Sequence, residues 1–444
     1  MRQTLQPQIF CFTFIAINSR FSLMSVLIRQ AKIVDPQSEF HNKVVDILIE
    51  KGVVSDIAAS LNVSADQTVE ADGLHIAPGF VDAFADYREP GYEHKETIAS
   101  GLNAAAAGGF TDVLLSPNTH PAVSTKSIVQ FIGQKTRGNI VNVHPLGSIT
   151  QDIEGKSLAE MLDMHSNGAI AFTDGWKPVQ NASLMLKALE YAKSFDGVLL
   201  EIPLDASLAA GGLMHEGAIS TKLGMAGIPV LAETILIYRD LELLRYTQSK
   251  LHITGVSTAE GLAMIRAAKK EGLNVTCSVT PYHLALTDEA LTTYNSVYKV
   301  TPVLRSERDR KALIEGLKDG TVDCIASHHR PQEWDSKAKE FEYAGEGMNI
   351  QEIAFNIVVE AVGTEVSVER LIDAFTSRPR KIFGLPANGL EKGGKSFTLF
   401  TTEGTTQFAA DRVQSTSRNN PYIGKELKGK IVGIFNNDQL HLNQ

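Results

Sequence analysis

The sequence predicts an α/β chain in which a (β/α)8 TIM barrel carries a small composite β-sandwich domain built from both termini. Three observations carry the prediction. Eight short apolar runs alternate with helical patterns through the middle of the chain, β-rich texture is confined to its two ends, and the first to the eighth run span about the ~250 residues typical of such a barrel.

In chain order, residues 1–23 stand apart. Their apolar run at 9–17 is far below the ~20 residues that cross a bilayer and has no small-x-small cleavage site after it, so the expectation is an over-long start, with Met24 opening the folded protein. Residues 24–77 hold β-branched runs at 26–28, 31–34 and 44–49, punctuated by Asp35-Pro36 and Lys51-Gly52. The same texture returns within 385–444, at 396–400 and 430–435, and the two segments are expected to fold as one β-domain. Between them, residues 78–384 read as the barrel, with strands expected at 79–86, 111–116, 140–146, 169–173, 198–202, 251–256, 275–279 and 322–326. Helical patterns fill the gaps, among them 96–107, 182–194, 259–271 and 307–317. A doubly wound open sheet competes, but no Gly-rich dinucleotide loop follows the first strand. Barrel chemistry sits at the C-terminal ends of the strands, which directs attention to residues 84–91, 116–119, 174, 201–205, 255–258, 278–283 and 327–331.

Composition bounds the function. The chain has 444 residues, 42 Lys+Arg against 51 Asp+Glu, and a formal net charge of −9, which disfavours a nucleic acid or an anionic membrane as partner. Hydrophobic residues at 43% and charged residues at 21% are near globular averages, enough for a full core. Cys11, Cys277 and Cys324 form no CxxC and no disulfide framework, which suits a reducing cytoplasm. Twelve histidines are ample stock for a metal enzyme, so their positions decide.

The stretch Pro78-Gly79-Phe80-Val81-Asp82-Ala83-Phe84-Ala85-Asp86-Tyr87-Arg88-Glu89-Pro90-Gly91 resembles the first-strand signature of dihydroorotases and related cyclic amidohydrolases, P-G-x-V-D-x-H-x-H-x-R-x-P-G, and departs from it at both histidines. Ser116-Pro117-Asn118-Thr119 resembles the family's P-N-T, Leu213-Met214-His215-Glu216-Gly217 its M-H-E-G, and Pro302-Val303-Leu304-Arg305-Ser306 its P-P-L-R-S. Asp319-Gly320-Thr321-Val322-Asp323 is similar to D-G-T-I-D, and Arg380-Lys381-Ile382-Phe383-Gly384-Leu385 to A-K-I-F-G-L. The resemblance runs over almost the whole chain after Met24. It implies a barrel of the metal-dependent amidohydrolase type acting in de novo pyrimidine biosynthesis, with one or two zinc ions that polarise a cyclic amide and activate water.

Zinc requires imidazole, carboxylate or thiolate donors at fixed geometry, and the family's ligand positions are mostly degenerate here. The first-strand H-x-H is Phe84-Ala85-Asp86, the fourth-strand D-D-G keeps only Asp174, and the fifth-strand H-x-E-D is Ile202-Pro203-Leu204-Asp205, with Glu201 available after a one-residue slip. The sixth-strand H-V-S-T is Gly255-Val256-Ser257-Thr258, and His252 is a different histidine. The eighth-strand T-D-H-A-P-H, whose Asp is the family's base, is Ser327-His328-His329-Arg330-Pro331-Gln332. Asp86, Asp174, Glu201, His328 and His329 remain as donors for a rebuilt site, although strand alternation turns only one of the two histidines inward.

Two substrate-side positions survive. The resemblance implies that Arg88 and Asn118 hold a carboxylate, a task suited to a guanidinium fork. The alternative is structural: Arg88 paired with Asp86 or Asp174, and Asn118 capping the following helix. The family's third contact on that side is Thr301. Gly389-Leu390-Glu391-Lys392-Gly393-Gly394-Lys395-Ser396 satisfies G-x-x-x-x-G-K-[ST], but a helical pattern precedes it and a β-run follows, the inverse of a P-loop, so it reads as a turn into the terminal β-domain. Cys277 and His283 could be drawn as nucleophile and base, yet no orienting acid accompanies them and a buried thiol is the better reading.

The leading expectation is a dihydroorotase homologue without zinc, cofactor or catalysis, acting as a structural or regulatory partner. The resemblance implies aspartate transcarbamoylase assembly or association with an active dihydroorotase, in a cytoplasmic homo-oligomer. The alternatives are an active cyclic amidohydrolase, interconverting dihydroorotate and carbamoyl-aspartate at a site rebuilt around Asp86, Asp174 and His328, and a small-carboxylate sensor using Arg88 and Asn118.

Overall fold

The computed structural model describes residues 25–443, so the expected leader, Met24 and Cys11 lie outside the described residues. Alternating apolar residues near the beginning of the chain form strands β1 (Val26–Ile33), β2 (Val44–Glu50) and β3 (Val53–Ala58), followed by β4 (Gln67–Val69) and β5 (His75–Pro78). The runs at 26–28 and 31–34 belong to one strand, whose register shifts between Ile28 and Ala31 at Gln30, φ 47°. Lys51 and Gly52, at φ 53° and 76°, are the two left-handed residues that a tight β2–β3 hairpin needs.

The barrel strands are β6 (Phe80–Ala85), β7 (Phe110–Leu115), β8 (Asn142–Gly147), β9 (Ala171–Phe172) and β10 (Leu199–Glu201), then β13 (Leu251–Ile253), β14 (Val275–Val279) and β15 (Cys324–Ile325); a parallel ribbon of β11 (Met214–His215) and β12 (Gly227–Ile228) lies outside the barrel sheet. All eight expected runs are present, parallel and in sequential order, with shorter hydrogen-bonded cores than the apolar runs suggest. Both faces of these strands are covered, which is why they read as near-continuous apolar stretches. Val81, Ala83, Leu114, Leu146, Ala171 and Leu200 fill the barrel, while Phe80, Phe110 and Phe172 pack in the cluster shared with the surrounding helices.

β15 returns to β6 through side chains and through backbone bonds just beyond the strand ends. The buried Asp82 accepts from Ser327 N (2.9 Å), Ser327 Oγ (2.5 Å) and Gln351 Nε2 (2.6 Å), and His328 N donates to Phe84 O (3.0 Å). The motif residues around 306–320 also have local work. Ser306 caps the helix Glu307–Asp319 in a capping box with Asp309, and Gly320, at φ 82°, ends it.

The C-terminal strands β16 (Phe397–Gln407), β17 (Glu426–Asn436) and β18 (Gln439–Leu442) are antiparallel, and β16 pairs with β5. The resulting sheet runs β18-β17-β16-β5-β1-β2-β3, so both ends of the chain share one sheet over a core that includes Ile28, Ile47, Leu390, Phe397 and Phe435. No helix among the described residues is long and apolar enough to cross a membrane.

Candidate functional site

The C-terminal ends of the barrel strands converge on a stack of rings. Phe84, fully buried at the end of β6, meets the Trp176 ring edge-on at 5.1 Å and the His328 ring at 4.8 Å. Trp176 also contacts His328 at 5.5 Å, and the Arg330 guanidinium lies 4.4 Å from its ring centroid, a cation–π arrangement. Arg330 pairs with Glu346 (3.2 Å), which also accepts from Thr301 Oγ1. Thr301, at the family's third substrate-side position, is therefore turned onto a protein carboxylate.

His328 and Gly255 fit as a pair. A Cβ on Gly255 would lie 2.5 Å from His328 Cε1, and Gly255 has φ +72°, so the missing side chain is the space the histidine ring occupies. His328 Nε2 bonds Thr254 Oγ1 (2.8 Å), which bonds Ser278 Oγ (2.8 Å), which bonds His252 Nε2 (3.1 Å); His252 Nδ1 reaches Thr276 Oγ1 (2.9 Å). Burial holds the His252 pKa down to about 3, and burial together with nearby His283 and His252 holds His328 well below the usual imidazole value. Both rings are neutral members of a buried hydroxyl network. Ile202 is fully buried in the apolar cluster that contains Phe84.

The carboxylates diverge. Asp86 Oδ2 accepts from Trp176 Nε1 (2.8 Å) and pairs with Arg88 Nη1 (3.2 Å), while Oδ1 accepts from Arg88 N (3.1 Å). Asp174 accepts from the backbone N–H groups of Ile149 and Thr150 (2.9 Å each) and from Thr150 Oγ1 (2.5 Å); burial pushes its carboxyl up to about 6 against the pull of those bonds. Glu201 accepts from Val179 N (2.6 Å), and burial, reinforced by the neighbouring Asp240, raises its pKa well above the carboxylate range. His329 turns away from His328, although both lie beyond the end of β15 and His328 is left-handed at φ 49°: its Nδ1 faces the Ile350 and Gln351 amides and its Nε2 stands 3.5 Å from Glu96.

Arg88 takes the structural option, pairing with Asp86, and its Nε has no protein partner. Asn118 does not cap the next helix, whose N-cap is Thr125. It donates instead to Asp174 O (3.1 Å) and accepts from Trp176 N (3.2 Å), pinning the turn that delivers the tryptophan. That turn needs Gly175, at φ +58°, where a Cβ would fall 1.9 Å from Asn118 Oδ1.

Sequence reasoning singled out Asp174 and overlooked Trp176, two residues later, as well as Arg330 and Glu346. One signal was available: Trp176 is one of two tryptophans in the chain and lies in the loop just after a barrel strand. Arg305 is structural, with Nη1 donating to Ile228 O (3.0 Å) and lying 3.3 Å from His215 Nδ1, and with Nε donating to Ser257 Oγ (3.1 Å). Cys277 and His283 do not pair. Burial pushes the thiol up to about 12 while Sγ contacts Thr321 O, and His283 is held between Thr280 Oγ1 and Val303 O.

Zinc needs at least three converging donors and an open position. Positions 84, 202 and 255 supply none, the carboxylates at 86, 174 and 201 bond to separate partners, and the unpaired His328 Nδ1 and Glu201 Oε2 do not assemble with a third donor, so the residues as folded do not fit zinc. Among the described residues no three His, Cys, Asp or Glu side chains assemble into a metal-binding group.

A family model described as dihydro-orotase-like matches residues 73–261. The dihydroorotase of Syntrophus aciditrophicus is 39% identical over 414 residues, covering 92% of this chain and 97% of that one. That of Acetivibrio thermocellus is 38% identical over 411 residues, covering 91% and 96%. Among solved structures, the L-hydantoinase (dihydropyrimidinase) of Arthrobacter aurescens superposes with a TM-score of 0.82 at 22% identity, covering 94% of this chain and 96% of that one. A D-hydantoinase from Thermus sp. gives 0.79 at 18%, covering 94% and 95%. These structures share the fold.

Proposed function

The chain belongs to the dihydroorotase family, and from that premise we propose that it is a metal-free, non-catalytic member that serves pyrimidine biosynthesis as a structural or regulatory partner. One observation carries the reading: where zinc and its water would sit, the barrel mouth is filled by Phe84, Trp176 and His328, with Gly255 shaped to receive the histidine. A hydrolase of this kind needs an activated water and a base. Here the base position is a neutral, buried imidazole bonded to Thr254, and Asp86 is paired with Arg88.

The partner we assign is aspartate transcarbamoylase, with cytoplasmic assembly as the role. Mixing the purified chain with the aspartate transcarbamoylase of the same organism and measuring mass by light scattering after size exclusion tests it. Co-elution at fixed stoichiometry is expected, and two separate peaks at micromolar concentrations would overturn the assignment.

Full-length likeness to dihydroorotases favours a second reading, an active amidohydrolase with its metal on Asp86, Asp174 and His328. It requires Asp86 and Asp174 to leave their present partners, while His328 has an unpaired Nδ1 to offer. Stoichiometric zinc that disappears in Asp174→Ala would support it. The sensor reading rests on the unpartnered Arg88 Nε; calorimetry with dihydroorotate on wild type and Arg88→Ala separates it from a purely structural arginine.

A further inference from the structure

A helix on the outside of a barrel turns apolar side chains to the core and charged ones to solvent. The helix Glu307–Asp319 follows that rule: every exposed position on it, 307, 308, 311, 315, 318 and 319, is charged. The helix Leu231–Thr247, between β12 and β13, breaks it. Its inner face buries Leu236, Ile237, Leu241 and Leu244, and over its first two turns the outer face is apolar as well. Leu231, Ile235 and Tyr238 are 57%, 44% and 58% exposed, and no other residue from 231 to 241 is exposed. A helix apolar on both sides is one that something covers. We propose that this face is where two copies of the chain pack together, their helices antiparallel about a two-fold axis beside Ile235.

The patch extends sideways onto the loop 204–212. Asp205 N donates to Ala232 O (2.7 Å), and Leu204 and Ala209 share an apolar cluster with Ala232, so the loop lies against the first turn of the helix. It presents Ala206, Leu208 and Ala210 to solvent. Its one carboxylate, Asp205, is tied inside the loop by Ser207 N (2.9 Å), Ser207 Oγ (2.5 Å) and Leu208 N (3.0 Å). At the far end of the helix, Glu242 and Arg245 pair with each other, and Arg245 also pairs with Glu271 (2.7 Å). An apolar centre with a polar rim is the make-up of a homodimer interface.

Spacing and size point to a second copy as the occupant. A two-fold axis beside Ile235 sets that side chain against its copy. It also brings Leu231 of one chain, a turn before the axis, onto Tyr238 of the other, a turn after it. No exposed charge on the stripe meets its own image. The 17-residue helix is about 25 Å long, and with the loop beside it the face is about two helix widths, ~20 Å, across. Each copy then offers on the order of 500 Å² and the pair buries about 1,000 Å², the size at which specific interfaces begin. Tyr238, large and half-exposed near the centre, is the residue type that anchors such contacts.

Sedimentation equilibrium of the full chain at about 1–50 µM tests the proposal. Wild type is expected at twice the chain mass. Ile235→Asp places two carboxylates against each other at the axis and should raise the dissociation constant at least about a hundredfold, with an unchanged circular dichroism spectrum. Lys311→Asp, on the charged helix, should leave the dimer intact. Ile235→Cys gives a second readout: oxidation with copper phenanthroline should link two chains beyond the wild-type level, since residues at the axis come within disulfide reach, and Lys311→Cys should not. A wild type that stays monomeric over that range, or a dimer that Ile235→Asp does not weaken, would overturn the proposal. So would a monomeric wild type whose co-elution with aspartate transcarbamoylase is abolished by Ile235→Asp, which would hand the face to a different protein.

Discussion

At the barrel mouth Asp86 is enclosed by Trp176, Arg88 and its own strand end, whereas at the foot the buried Asp112 is paired with Arg380 and bonded by Asn142 and His144 beside a cavity. The mouth is held by ring packing and neutral hydrogen bonds, and the foot by an ion pair beside exposed lysines. Substitutions at the mouth should therefore cost more stability than substitutions among the exposed lysines at the foot.

The largest expected difference is in acid. His252 and His283 are held by burial at about 3 and about 4, below the usual 6.5. With the folded values depressed, the unfolded chain takes up protons first. The stability is fully present above pH 6.5 and is lost as pH falls through 6.5 toward 4 and 3, at about 1.4 kcal/mol for every pH unit that separates the folded value of each group from its unfolded one. Asp174, raised to about 6, opposes this between pH 6 and 4. Circular dichroism against pH should show an acid transition that moves to lower pH in His252→Gln and stays put in Lys395→Glu. An unmoved midpoint in His252→Gln would break the contrast.

Phe84→Ala should cost about 3–4 kcal/mol in urea unfolding, the range for a buried aromatic truncation, against less than about 0.5 kcal/mol for Lys395→Glu. A small loss at position 84 would mean the mouth is not packed. Gly255→Ala should cost about 2–3 kcal/mol, because the Cβ meets His328 and the backbone is left-handed. His328→Ala should recover about 1 kcal/mol of that in a double-mutant cycle, and additivity of the two changes would separate the residues. The smallest effect at the mouth is Trp176→Phe, about 1.5–2 kcal/mol, from removing the indole bond to Asp86 while keeping most of the ring.

The fold was legible because period and punctuation are local. The eight β-runs and the start of the helix at Glu307 follow from apolar patterning and from Ser306, Asp309 and Gly320. The pairing of β5 with β16 was anticipated only as a shared texture of the two ends. In the site, the degeneracy of positions 84, 202 and 255 was visible in the sequence. What replaced the lost donors was not, since Trp176 comes from the loop after β9 and Arg330 from the loop after β15, and only the closed barrel stacks them. That Asn118 does not cap the following helix was hidden for the same reason: its partners, Asp174 and Trp176, lie more than fifty residues away in the chain. The inverted G-x-x-x-x-G-K-S context was legible, but the cavity behind it depends on Arg380 and Asp112.

The most direct measurement is steady-state turnover of dihydroorotate by the full-length protein after zinc reconstitution and removal of excess metal. A filled, metal-free mouth predicts no hydrolysis above the protein-free rate. Enzyme-like turnover that vanishes in Asp174→Ala would contradict it, because it would require Asp86 and Asp174 to leave the partners that close the mouth.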